Sequence, residues 1–225
     1  MSRFGKNILF VIIIYALMAV PAGADKWLNA SKNETTPSTS PSKLADSGVW
    51  QAGVGEGFRA GATVLGLNAG AMYGMLMFGS NERHHLALGS LSYGRTIGGV
   101  RGANRWYGGN WELRGELFGA VQVEPNTSWV IGIAPHIRYH FITGARWVPF
   151  IDVGAGISWT DISVPDLGGS FQFNLQAGAG LNWFVKDDLA VSIECRYLHL
   201  SSSAISMPNN GVNTLGGLVG LNWFY

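Results

Sequence analysis

Charge is scarce in this chain. Only 13% of its 225 residues are Asp, Glu, Lys or Arg, against the ~25% usual for soluble domains. The 15 basic and 14 acidic residues nearly cancel. That balance offers no basic stripe, so no nucleic-acid partner is expected. Cysteine occurs once, as Cys195, which excludes an internal disulfide and any paired-cysteine metal motif. Beyond the first residues, no apolar run reaches the ~20 residues that a spanning helix needs.

Glycine and aromatics are plentiful instead. Gly numbers 32, about twice its usual share of ~7%, and there are nine Trp, seven Tyr and eleven Phe. Low charge combined with this content suits strands that face lipid better than a soluble core.

The first residues read as a secretory signal peptide, residues 1–24. Arg3 and Lys6 form a basic segment, "ILFVIIIYALMAV" an apolar one, and Ala22-Gly23-Ala24 a small-residue cleavage site before Asp25. Residues 25–48, rich in Ser, Thr, Pro and Asn, read as a flexible N-terminal extension with too little apolar surface to order itself. Its Asn-x-Ser/Thr matches at Asn29 and Asn33 read as chance. The remainder, 49–225, carries the structural signal.

That signal is period two. In "SFQFNLQAGAGLNWFV" the odd positions run Phe171, Phe173, Leu175, Ala177, Ala179, Leu181, Trp183, Val185, and the even ones are polar or Gly. Such alternation marks a strand with one apolar face. The stretch exceeds the usual five or six residues of a globular strand and suits a tilted membrane-spanning strand. "SWVIGIAPHIRYHF", "RWVPFIDVGAGISWT" and "NWELRGELFGAV" repeat it, with His136, Arg138, His140, Asp152, Glu112, Arg114 and Glu116 on the even face. An Arg or Lys facing lipid at the midplane costs ~2–4 kcal/mol, so the even face is the interior. Asp152, Arg138, Glu194 and Arg196 are expected to form an internal network. Aromatics such as Trp129, Phe141, Trp147 and Trp159 sit near strand ends, as interfacial girdles do. The chain closes on "GLVGLNWFY", an alternating strand with a terminal aromatic, which resembles the C-terminal signal of bacterial outer-membrane barrels.

Strands are expected at about 49–58, 84–96, 110–121, 128–141, 147–160, 170–185, 189–201 and 213–225. The segment 62–78 reads as an extension of the first hairpin or its loop. The fold class is therefore all-β, an eight-stranded antiparallel transmembrane β-barrel in the bacterial outer membrane. A barrel so narrow is filled by side chains and forms no diffusion pore.

Within it, "RYLHLSSSAISMPNNGVN" stands out. Val191, Ile193, Cys195, Tyr197, His199 and Ser201 share the lipid-facing parity, so a base and a hydroxyl project from a greasy face. With both termini periplasmic, odd-numbered strands run outward. His199, Ser201 and Asn213 then lie together at the outer leaflet, where the lipid is lipid A. A Ser hydroxyl needs a neighbouring base to become a nucleophile, and a third group to hold that base in the right tautomer. "GVGEG" and "GAGAG" are not nucleotide loops, and the adjacent pair His84-His85 points to opposite faces, against metal binding.

"YLHLSSSA" followed by "PNNGVN" resembles the motif of the PagL-type lipid A 3-O-deacylases, and "VEPNTSWVIGIAPHIRYHF", "WVPFIDVGAGISWTD" and "FNLQAGAGLNWFVKDDLAV" look similar too. The resemblance runs from about Trp50 onward. It implies that His199 is the general base, Ser201 the nucleophile, Asn213 the orienting group and Ser202 the oxyanion donor. The substrate implied is lipopolysaccharide, cleaved at the ester on position 3 of lipid A, with no metal or organic cofactor. There are three departures from the pattern: Ser202 stands where Asn is expected, Ser203-Ala204 where Ala-Gly is, and Asn213 where the best-known enzymes have an acid. A non-catalytic structural or adhesive barrel is the competing reading.

Overall fold

A computed structural model describes residues 54–103 and 105–225. The signal peptide, the N-terminal extension with Asn29 and Asn33, and the start of the barrel segment at 49–53 lie outside the described residues. Eight strands follow in chain order: β1 (Thr63–Gly74), β2 (His85–Arg101), β3 (Gly109–Glu124), β4 (Ser128–Phe141), β5 (Trp147–Thr160), β6 (Phe171–Phe184), β7 (Leu189–Ser201) and β8 (Val212–Phe224). Each pairs antiparallel with its neighbours, and β1 pairs with β8 to close the barrel.

One parity governs the whole wall. Apart from the irregular pair His85↔Glu124 at the end of the β2–β3 ladder, partners share it, as in Glu112↔Arg138 and Ala177↔Tyr197, so even residues of the barrel wall stay inside. The odd face presents Leu67, Leu91, Leu113, Leu117, Ile131, Ile133, Ile151, Val153, Ile193 and Val219, each at least 48% exposed. A continuous apolar band of this kind is far larger than water tolerates on a soluble domain, and it is the surface a barrel turns to lipid. Cys195 lies on the same exposed face.

The interior is layered. Beneath one rim Met72, Leu88, Phe118, Leu167, Leu198, Leu200 and Val212 form an apolar tier. The middle is charged, and each Arg there answers two acceptors or more. Arg138 bonds Asp152 at 2.9 Å and Glu194 at 2.9 Å, and its guanidinium lies over Phe150. Arg196 bonds Glu194 at 2.6 Å and Glu116 at 2.7 Å. Arg114 and His140 share Glu112, each at 2.7 Å, while His136 holds Asp152. Such pairing is what makes ionised side chains tolerable away from water. The expected network of Asp152, Arg138, Glu194 and Arg196 is thus present.

The opposite mouth is closed by a short 3-10 helix, Val54–Phe58, and here the expectation of a first strand at 49–58 is corrected. Phe58 is buried against Phe184, Phe224 and His140, and Asn110 donates to its carbonyl at 2.7 Å. The first strand is Thr63–Gly74, inside the segment 62–78 expected to be an extension of the first hairpin or its loop. Both its edges are taken by β2 and β8, so no ladder is left for 54–58, and Val54 and Phe58 gain more by plugging the barrel. Strand β1 escaped the period-two reading because its inward positions include Gly66 and Gly70. At Gly66 a Cβ would stand 2.5 Å from Ser92 Oγ and 2.8 Å from Asn222 Oδ1, so the interior network occupies the space a polar side chain would have marked.

Candidate active site

The segments joining β1–β2 (75–84), β5–β6 (161–170) and β7–β8 (202–211) gather at one rim. The residues expected to do chemistry lie there. His199 and Asn213 are direct cross-strand partners on β7 and β8. The imidazole Nδ1 lies 2.7 Å from Asn213 Oδ1, and Tyr197 donates its hydroxyl to the same oxygen at 2.6 Å. Oδ1 can only accept, so Nδ1 carries the ring's proton in the neutral form and Nε2 is left with a lone pair. Among the described residues Nε2 has no hydrogen-bond partner, nor does Ser201 Oγ.

Ser201 ends β7 two residues beyond His199, on the same face and ~6.6 Å along the strand. It is 8% exposed, with Phe173 as its partner on β6 and Leu175 beside His199. Phe78, from the β1–β2 segment, stands edge-on to the imidazole with ring centroids 6.2 Å apart. It does so at φ 56°, a conformation uncommon for a bulky side chain. The pair therefore faces the apolar exterior between aromatic walls at the barrel rim.

Ser202 is turned away from this face. Its N–H donates to Asn209 Oδ1 at 2.8 Å, and its hydroxyl lies 3.0 Å from both Asn209 Oδ1 and the Ser206 carbonyl. Its two donors hold its own loop. The next two residues, Ser203 and Ala204, have φ of 52° and 68°, left-handed values that L residues adopt at a cost of ~1–2 kcal/mol each. Among the described residues no acceptor meets their N–H groups.

Sequence patterning did not reveal what stands behind Asn213. Asn213 Nδ2 donates to the Met77 carbonyl at 2.9 Å and to Ser80 Oγ at 2.7 Å, both in the β1–β2 segment. That segment is pinned in turn by Asp166 of the β5–β6 segment, which accepts from the Asn81 N–H at 2.6 Å, the Glu82 N–H at 3.0 Å and the Asn81 amide at 2.9 Å. Asp166 also lies 2.9 Å from His84 Nε2, while His84 Nδ1 lies 2.7 Å from Gln122. Burial would raise the Asp166 carboxyl, but the donors from Asn81, His84 and Glu82 outweigh it and hold the group below its ordinary range. A polar "SN" and a "PD" in two loops carry no periodic signal, and only the tertiary contact reveals them. His84 is spent on this cluster, and His85 points elsewhere, to Tyr73 and Glu124. Among the described residues no group of three or more potential ligands could hold a metal ion.

Fold and rim together define a class: an eight-stranded membrane barrel with a histidine, its amide partner and a serine on the outward face of one rim. The chain belongs to the lipid A 3-O-deacylase (PagL) family, whose model matches residues 69–222 and so contains His199, Ser201 and Asn213. Among solved structures it is similar to the outer membrane enzyme PagL, with 19% identity, a TM-score of 0.53, and 70% of this chain and 97% of that chain covered. It is likewise similar to Neisserial surface protein A, with 15% identity, a TM-score of 0.53, and coverage of 73% and 97%. At these identities the structural likenesses speak for the fold, and the family model carries the membership. No curated protein matches the chain in sequence. The protein is a barrel of the bacterial outer membrane.

Proposed function

We propose that the protein is a lipid A deacylase, a serine esterase that hydrolyses the acyl ester at position 3 of lipid A in the outer leaflet. The observation that carries this reading is the His199–Asn213 contact of 2.7 Å. It leaves Nε2 unprotonated on the lipid-facing side, two residues from a serine hydroxyl.

In the reaction, Nε2 takes the Ser201 proton as Oγ attacks the ester carbonyl. The carbonyl oxygen becomes an oxyanion, for which we assign the free N–H groups of Ser203 and Ala204 as donors, with Ser202 shaping their turn. Collapse breaks the bond to the sugar oxygen, which leaves with the proton from the imidazolium. Water, deprotonated by Nε2, then attacks the acyl-serine, releasing the hydroxy fatty acid and restoring Ser201. Asn213 keeps the ring in register through both steps. Being neutral, it stabilises the imidazolium less than a carboxylate would, which predicts a slower enzyme than an acid-bearing relative. Tyr197, which donates to the same oxygen, helps hold it in place beside the ring.

The test is mass spectrometry of lipid A from outer membranes carrying the wild-type barrel or Ser201→Ala. Loss of one ester-linked hydroxyacyl chain with wild type alone supports the reading. Unmodified lipid A in both, with the barrel folded and inserted, would favour a structural or adhesive barrel.

A further inference from the structure

Asparagine is an ambiguous partner for histidine. Its two ends are nearly isosteric, yet one accepts and the other donates. Turned round, the amide would offer NH2 to Nδ1, make Nδ1 the acceptor, and put the ring's proton on Nε2. A ring in that form cannot relieve Ser201 of its proton.

The orientation is set from outside the strand pair. Asn213 Nδ2 lies 2.9 Å from the Met77 carbonyl oxygen, which can only accept, and 2.7 Å from Ser80 Oγ. Ser80 has one hydroxyl hydrogen, and its acceptors are the Gly211 carbonyl at 2.7 Å and the Met77 carbonyl at 2.9 Å. Whichever takes the hydrogen, Oγ is left to accept from Nδ2. A reversed amide would press Oδ1 against the Met77 carbonyl, and Ser80 could meet it only by abandoning both carbonyls. The backbone reinforces the arrangement, because the Met75 N–H donates to the Asn213 carbonyl at 2.8 Å. Asp166 holds the same segment just beyond Ser80, at Asn81 and Glu82.

We infer that Ser80, acting with the Met77 carbonyl, is a positioning residue that selects the amide orientation of Asn213 and, through it, the tautomer of His199. The β1–β2 segment is thereby part of the site, and it lets an amide stand where the family pattern has an acid. The catalytic consequence rests on the esterase reading above; the tautomer selection does not.

The experiment uses the full mature chain, folded in detergent micelles with 15N-labelled histidine, at a pH where the His199 ring is neutral. Ring-nitrogen shifts are compared for wild type and Ser80→Ala, and again for both in an Asn213→Asp background, with lipid A deacylation measured alongside. Wild type shows protonated Nδ1 and bare Nε2. Ser80→Ala moves the ring toward a mixture and lowers kcat roughly three- to tenfold, the scale of one neutral hydrogen bond, with KM unchanged. In Asn213→Asp both oxygens accept whichever way the group turns, so Ser80→Ala no longer moves the tautomer. Folded Ser80→Ala with wild-type ring signals overturns the inference, as does an equal tautomer shift in the Asp background. Should the ring respond as expected while wild type releases no fatty acid, the esterase reading falls and the positioning role stands.

Discussion

His199 and Asn213 face each other across the β7–β8 ladder with Nδ1 and Oδ1 2.7 Å apart, and Tyr197 donates to the same oxygen. Asn213→Ala removes the acceptor while leaving the strand pairing in place. Deacylation is expected to fall at least ~10²-fold, the lower end of what a positioned general base contributes. Steady-state kinetics on purified lipid A, with folding followed by the heat-dependent gel shift of the barrel, check this. A loss below threefold would show that the ring needs no partner.

Gly211 sits at φ 82°, and a Cβ there would lie 2.9 Å from His199 Cε1. Gly211→Ala therefore strains the backbone by ~1–2 kcal/mol and pushes the imidazole from its place. Activity is expected to drop more than the loss of stability accounts for. Comparing kcat with thermal unfolding of the same preparation separates the two, and parallel losses would contradict the contact.

Asp166 ties the segment that holds Asn213. Asp166→Ala removes the acceptor of the Asn81 and Glu82 N–H groups; both bonds are only part-buried, so water can replace it and the cost is about 0.5–1.5 kcal/mol each, and hydrogen exchange at those two amides should quicken. The pH dependence has a definite sign. The folded carboxyl titrates below its ordinary value, so its stabilisation is complete above pH ~4 and fades as pH falls through the lower folded value. Protection of Asn81 and Glu82 should be constant above that range and decline below it. Protection that instead declines between pH 6 and 8 would point to another group.

Glu194 bridges Arg138 and Arg196 deep in the barrel. Glu194→Ala leaves two buried guanidinium groups short of a partner, for an expected loss of about 3–5 kcal/mol. Denaturation in micelles measures it. Activity per folded molecule should be unchanged, because this network lies on the inward face and the site on the outward one.

Strands β3 to β8 were legible in the sequence to within a few residues, because lipid outside and a packed polar interior impose opposite demands on alternate positions. Leu113 against Arg114 and Ile137 against Arg138 state that contrast plainly. Strand β1 was not, because Gly66 and Gly70 make room for neighbours and so carry no polarity of their own. Phe58 is misleading for the converse reason: an apolar residue near a barrel's start reads alike whether it pairs at an edge or plugs the mouth. His199, Ser201 and Asn213 were legible as polar residues on a face that should be greasy.

The sequence by itself determined the barrel, the parity of its faces and the strand end that carries the histidine and serine, since each follows from periodic burial along one segment. Only the tertiary structure decided which end of the Asn213 amide meets His199. That choice depends on Met77 and Ser80, which are remote in sequence and aperiodic, and on Asp166, which fastens their segment from another hairpin. Hydrogen-bond direction depends on where donors and acceptors converge in space, and hydrophobic periodicity carries no record of it.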